Sequence, residues 1–390
     1  MSSYGSYRPA TPATLPPGYR MPAPRRPGVL STLGWITVVV VIAASGLLTF
    51  VLITSETGPL GLVAGVALSA VPVFPVIAVY LWLDRYEAEP KSLLAFAFGW
   101  GAAVATFGAM VINTASSEAI RASGGDPSST AVLVAPVVEE SLKGMAILLI
   151  LLARRREFDG VVDGIVYAGM VGIGFAFVED VLYLGRTLAE YGGWHLAVIF
   201  VVRCVASPFA HPLFTAATGI GIGIAARSGN PLVKVLSPVL GWVVAVFLHG
   251  LWNLSASAQF GSFVALYVVV QVPLFIGFIT LAVFARRREG RLIAAHLAGY
   301  AGAGWLAPAE VGMLASVRER RDARGWAARV GGPGARRAMR DFQELGSELA
   351  FLRERMNRGT APPDAGFQEQ ALLAAMSARR AGFVPGLGPR

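Results

Sequence analysis

The sequence predicts an all-α protein threaded repeatedly through a membrane, and three observations carry that reading. Of 390 residues, 55% are hydrophobic and only 15% charged, whereas soluble domains carry about 25% charged residues. Eight apolar segments are long enough to cross a hydrocarbon core, which takes about 20 helical residues. They lie near 34–54, 58–83, 92–113, 130–153, 160–185, 195–225, 235–255 and 260–285. The basic residues between them fall on alternate connections, the pattern expected of cytoplasmic loops.

Residues 1–28 are rich in Pro, Tyr and Arg and lack an early apolar core. They read as a disordered cytosolic leader, not a cleavable signal. One set of connections carries Arg25 and Arg26; Arg85 and Lys91; Arg154, Arg155 and Arg156; Arg227 and Lys234; and Arg286, Arg287 and Arg288. The opposite set carries only Arg121 and Arg186. About eight spans over 29–285, with both termini cytoplasmic, satisfy this asymmetry in a multi-pass protein of the plasma membrane. The sixth segment is too long for one span, and its Ser207-Pro208 step predicts a kink or a short surface helix before the true span. Gly219 and Gly223 form a small-xxx-small pair suited to close helix contact.

Beyond Ala285 the chain becomes charged and amphipathic. Met339, Phe342, Leu345, Leu349, Leu352 and Met356 follow i+3/i+4 steps and place an apolar stripe on one helix. Pro308 and Glu310 open an earlier helix running towards Val330, and the Gly-Gly-Pro-Gly run at 331–334 separates the two. A small helical cytosolic module over 286–360 is expected, followed by a loosely ordered 361–390. The net charge of +9 arises from loops and tail, so it signals orientation and not a nucleic-acid partner. A single cysteine, Cys204, excludes an intrachain disulfide and a cysteine-based metal cluster.

Chemistry is expected where polar residues interrupt the spans. Glu139, Glu140 and Lys143 lie within the fourth; two adjacent carboxylates there cost about 2.5–3.5 kcal/mol each even on translocon scales. On a helix Glu139 shares a face with Lys143, while Glu140 points about 100° away. Glu179 and Asp180 lie in the fifth span, with Asp180 nearer the outer interface. The sixth holds Arg203, expected to snorkel to the outer surface, with His211 and Thr215. His249 and Asn253 share a face of the seventh. Counted from each outer end, Glu139 falls about 14 Å down, Glu179 about 9 Å, His249 about 8 Å and His211 about 20 Å. Side chains from four spans therefore meet between the outer half and the midplane, as one site opening outwards.

Carboxylates and imidazoles suit peptide hydrolysis. A glutamate can take a proton from water and return it to the leaving amine. Imidazoles can hold a metal or stabilise an oxyanion, and Asn253 offers an amide donor of the oxyanion-hole kind. There is no HExxH helix in the sequence. Buried Glu and His chains also make proton relays, so a proton-coupled transporter remains an alternative, as does a silent membrane scaffold or sensor working through its tail.

EESLK at 139–143, FAFVE at 175–179, His211 in SPFAHPLFT and HGLWN at 249–253 together resemble the PrsW family of intramembrane proteases. DRYEAEPK at 84–91 resembles a further segment of that family. More distantly the pattern is similar to the CAAX-prenyl-protease and abortive-infection superfamily. The resemblance implies cleavage of a single-span membrane protein such as an anti-sigma factor in a stress response. It also implies that Glu139 and Glu140 supply the catalytic carboxylate, with Lys143 as their charge partner and Glu179, His211, His249 and Asn253 completing the site. Zinc held by Glu179, His211 and His249 and a metal-free glutamate mechanism both account for these residues. Asp180 in place of Asn, Ala88 in place of Pro, and Asn253 at a position that can be Asp depart mildly from the family's pattern.

Overall fold

A computed structural model describes residues 29–86, 88–155, 158, 160–257 and 260–383, and these are helical with no strand among them. The leader, Arg156 and the final prolines Pro385 and Pro389 lie outside the described residues. The chain divides into two compact units: 27–84 with 89–282, and 85–88 with 283–390.

The first unit begins with α1 (Val29–Leu83), whose 55 residues would measure about 80 Å as one rod, more than twice a hydrocarbon core. Gly58 divides it, with φ 66° and ψ 172°, a left-handed conformation that a side chain would strain. Pro59 follows it without a backbone N–H to place. The first two apolar segments are thus separate rods joined without a loop. α2 (Lys91–Gly99) continues through a π-helical stretch, Trp100–Ala105, into α3 (Thr106–Ala122). Thr106 Oγ1 donates to the Gly101 carbonyl five residues back at 2.9 Å, which occupies a carbonyl within the widened turn. α4 (Ala135–Ala153), α5 (Val161–Tyr191) and α6 (Gly193–Phe200) follow. A π stretch over Val201–Ala206 then ends at the Ser207-Pro208 break, and α7 (Ala210–Arg227) is the straight part of the sixth segment. α8 (Pro231–Ala256) opens on Asn230, whose Oδ1 accepts from the Leu232 N–H at 2.9 Å. Last come α9 (Phe260–Leu266), a π stretch over Tyr267–Gln271, and α10 (Val272–Gly302).

Among the described residues, six stretches are long and apolar enough to cross a membrane. α1 is one of them but contains two rods, and α4, with three charged residues in its apolar run, is not counted. Exposed Leu, Val, Ile and Phe crowd α1, α8 and the last span, the surface that lipid covers.

α5 is the central helix. Its most apolar window is 83% buried, against 6% for α8. Glycines make that possible: a Cβ built on Gly164 would lie 2.0 Å from the Gly219 carbonyl oxygen, and one on Gly219 would lie 2.1 Å from that of Gly164. Gly223 meets Gly160 and Val161 in the same way, so the small-xxx-small pair seats α7 on the start of α5. Gly219→Ala is expected to lower stability by about 1–3 kcal/mol through overpacking, read from thermal unfolding in detergent. Gly193→Ala, with nothing within 4 Å, serves as the matched control.

In the second unit the stripe on α12 (Val317–Arg358) is buried: Met339, Phe342, Leu349 and Leu352 are each at most 1% exposed. Gly331 and Gly332 kink the helix, Gly332 with φ 70°, where the glycine run predicts a break. Two expectations differ. The helix opened by Pro308 stops at Ala315, and a new one starts after Ser316, whose hydroxyl accepts from the Glu319 N–H. The expected loose C-terminus instead contains α13 (Ala365–Ala381), which buries Leu372, Leu373 and Met376 against the α12 stripe. Its i, i+1, i+4 apolar spacing is short, and the composition of the surrounding residues obscures it. Tyr86 is gathered into this unit. Its carbonyl accepts from Arg320 at 2.9 Å and from Ser347 at 2.6 Å, and its hydroxyl donates to the Ala315 carbonyl at 2.8 Å.

Candidate active site

Four helices bring the intramembrane ionisable residues together. α4 supplies Glu139, Glu140 and Lys143 from its second and third turns. α5 supplies Glu179 from its second half, α7 supplies His211 from its first turn, and α8 supplies His249 from its last turns. The Ser207-Pro208 break is what starts α7 at this depth. Gly172 on α5 lets the backbone of His211 and Pro212 approach, since a Cβ there would lie 2.7 Å from Pro212.

Lys143 is the hub and is fully buried. Its Nζ donates to Glu140 Oε1 at 3.0 Å and to Glu139 Oε2 at 3.4 Å, approaches His211 Nδ1 at 3.0 Å, and sits 3.7 Å from the centroid of the Phe175 ring. The face-sharing argument paired Lys143 with Glu139 alone. Lys143 reaches both because a four-carbon stem spans i−3 and i−4 alike, and Glu140 is the closer partner. Phe175 provides a cation–π seat.

Lys143 has only donors, so His211 Nδ1 accepts, and the ring proton on Nε2 points to Glu179 Oε2 at 2.8 Å. His249 Nδ1 meets Glu140 Oε1 at 3.0 Å, which places its proton on Nδ1 and leaves Nε2 facing Glu139 Oε2 at 3.7 Å.

The two carboxylates are held very differently. Glu140 receives Lys143, His249 and, at 2.9 Å, the Thr215 hydroxyl, and is 0% exposed. Every contact of Glu139 is longer, including one from Asn113 Nδ2 to Oε1 at 3.3 Å. Asn113 Oδ1 is buried without a partner among the described residues. Sequence reasoning missed Asn113. An amide within the apolar run of α3 was the available signal, and only packing of α3 on α4 turns it into a site residue.

Arg203 does not snorkel. Its guanidinium donates to Glu179 Oε2 at 2.5 Å and is bonded to Asp180, which is buried. Arg203 and His211 thus converge on the same oxygen of Glu179, Oε2. Asn253 is turned away from the cluster: its Nδ2 donates to the Ala131 carbonyl at 2.8 Å, so its amide ties α8 to the π-helical stretch Thr130–Val134 that precedes α4.

A metal can be tested against this donor set. Glu139, His211 and His249 each bring a ligand atom within 4.8 Å of the others, so Glu139 takes the place expected of Glu179. Two imidazoles and a carboxylate with an open position suit catalytic zinc, whose ligands lie at about 2.0–2.2 Å. The 3.7 Å between His249 Nε2 and Glu139 Oε2 is too long for a hydrogen bond and close to the separation of two ligands on one zinc. Glu140 on His249 Nδ1 is the outer-shell carboxylate that such a ligand ordinarily has. At His211 Nδ1 the Lys143 ammonium and a metal ion are alternatives, because both need that lone pair.

Paired glutamates and imidazoles held in register by membrane helices define a membrane-embedded hydrolase. Comparison with known sequences agrees. The profile of the family described as PrsW family intramembrane metalloprotease matches residues 89–278, which contain every residue of the cluster. Protease PrsW of Geobacillus kaustophilus is 30% identical over 53% of this chain and 84% of its own. Protease PrsW of Bacillus subtilis is 30% identical over 50% of this chain and 82% of its own. No solved structure matches. The chain belongs to the PrsW family of intramembrane proteases. It is a multi-pass membrane hydrolase.

Proposed function

We propose that this protein hydrolyses a peptide bond of a single-span membrane protein, of the anti-sigma-factor kind, near the outer face of an eight-span domain whose termini are both cytoplasmic. The contrast between a saturated Glu140 and a loosely held Glu139 carries the assignment of roles. Glu139 Oε1, beside Asn113, accepts the proton of the attacking water and returns it to the leaving amine. Glu140 is the positioning residue: it fixes the tautomer of His249 and the placement of Lys143. Arg203 and Glu179 hold His211 in place. Asn253 belongs to the scaffold of the site through its bond to the stretch that precedes α4, not to an oxyanion hole. When bound by Glu139, His211 and His249, zinc would supply Lewis-acid polarisation of the scissile carbonyl and a lowered water pKa.

The test is cleavage of a reconstituted single-span substrate by purified protein before and after exposure to a chelator. Cleavage is expected to fall more than tenfold and to return with added zinc. Cleavage indifferent to the chelator would remove zinc from this account and leave the glutamate chemistry.

A further inference from the structure

A second feature adjoins the cluster. Between the start of α7, the end of α8 and the last span lies a cleft walled by Phe209, Leu213, Phe214, Trp252, Tyr267 and Phe275. We propose that it is the subsite for one bulky apolar side chain of the substrate, next to the scissile bond. This inference rests on the peptidase reading above and adds to it the residue class that the enzyme selects.

Three observations support it. The cleft and the cluster share a wall: the Phe214 ring lines the cleft and stacks on the His249 imidazole, with centroids 5.3 Å apart and an interplanar angle of 23°. A side chain seated against Phe214 therefore places its backbone beside the catalytic groups. Size is the second. The cavity is about 50 Å³, and at about 10–15 Å³ for each enclosed water it has room for a few waters or the heavy atoms of one side chain. Its lining is mostly apolar, which favours the side chain.

The third is the polar complement. The Tyr267 hydroxyl donates to the Ala206 carbonyl at 2.7 Å, fixing one rim at the Ser207-Pro208 break. Gln271, from the π-helical stretch, also lines the cleft, and its amide makes no hydrogen bond among the described residues. A membrane-embedded helix must unwind locally before a protease can reach its backbone, and each amide so freed needs a partner in a medium without water. Gln271 is placed to pair with one.

The test uses a library of synthetic single-span peptides, reconstituted in liposomes, that carry Gly, Ala, Leu, Phe or Asp at each position of their outer half. Cleavage sites are mapped by mass spectrometry. Wild-type protein is expected to cut beside Leu or Phe at least tenfold more often than beside Gly or Asp, the discrimination of a hydrophobic pocket. Leu213→Phe narrows the cleft and should shift the preference towards Ala; Phe275→Ala widens it and should favour Phe over Leu. The two changes act in opposite directions, so either one, if folded, tests the assignment. Gln271→Ala should slow all substrates alike. Cleavage by wild type, abolished in Glu139→Gln but with residue preferences unmoved in both cleft variants, would overturn the subsite and leave the peptidase reading standing. No cleavage of any peptide by wild type would overturn both.

Discussion

Glu139→Gln is expected to lower peptide cleavage about 10²–10⁴-fold, the contribution of a positioned general base, while leaving thermal unfolding near that of wild type. The carboxylate is loosely held, with contacts of 3.3–3.7 Å. An amide of the same shape keeps an acceptor for Asn113 or Lys143 but cannot take a proton from water. Glu140→Gln should behave differently. Its amide nitrogen must face either Lys143 and His249, which both donate to one carboxylate oxygen, or Thr215, whose hydroxyl would have to turn from donor to acceptor. An unpaired buried donor costs about 1–3 kcal/mol, so this variant should lose stability together with activity. Measuring kcat/KM and unfolding on the same detergent-solubilised samples separates the two. Normal cleavage by Glu139→Gln would sink its assignment as the base.

Lys143→Met is expected to have the largest effect on stability. Removing one partner of a buried ion pair leaves an uncompensated charge, at a cost of about 3–5 kcal/mol. Here two carboxylates lose their shared cation, and His211 loses the donor that sets its tautomer. The double variant Glu140→Gln Lys143→Met removes one of the stranded charges and should recover part of the loss. Unfolding of wild type, both singles and the double in one detergent closes that cycle. A single variant as stable as wild type would show that Lys143 is not the electrostatic hub.

Much of the site was legible in the sequence because bilayer depth is a local quantity. A Glu or His within an apolar run must lie at some level of its own span, and loop charges orient that span. Glu139, Glu179, His211 and His249 could therefore be placed at similar depth before any packing was known. The Ser207-Pro208 break was equally legible, since proline interrupts a helix wherever it stands. Partner choice was not legible in this way. Arg203 looked like a snorkelling residue because only α5, packed beside it, brings Glu179 and Asp180 within reach. Asn253 looked like an oxyanion donor because the Ala131 carbonyl that accepts its hydrogen bond lies on another segment.

By itself, then, the sequence determined an all-helical multi-pass membrane protein, its family, and the set of ionisable residues at bilayer depth. Those follow from hydropathy, charge placement and motif order along single segments. Tertiary structure alone decided which carboxylate is saturated with hydrogen bonds and which is loosely held. It also made Glu139, and not Glu179, the neighbour of both imidazoles. The rotation of each helix about its own axis settles such contacts. Here that rotation is set by backbone approaches at Gly164, Gly172 and Gly219, which depend on residues far apart in the chain.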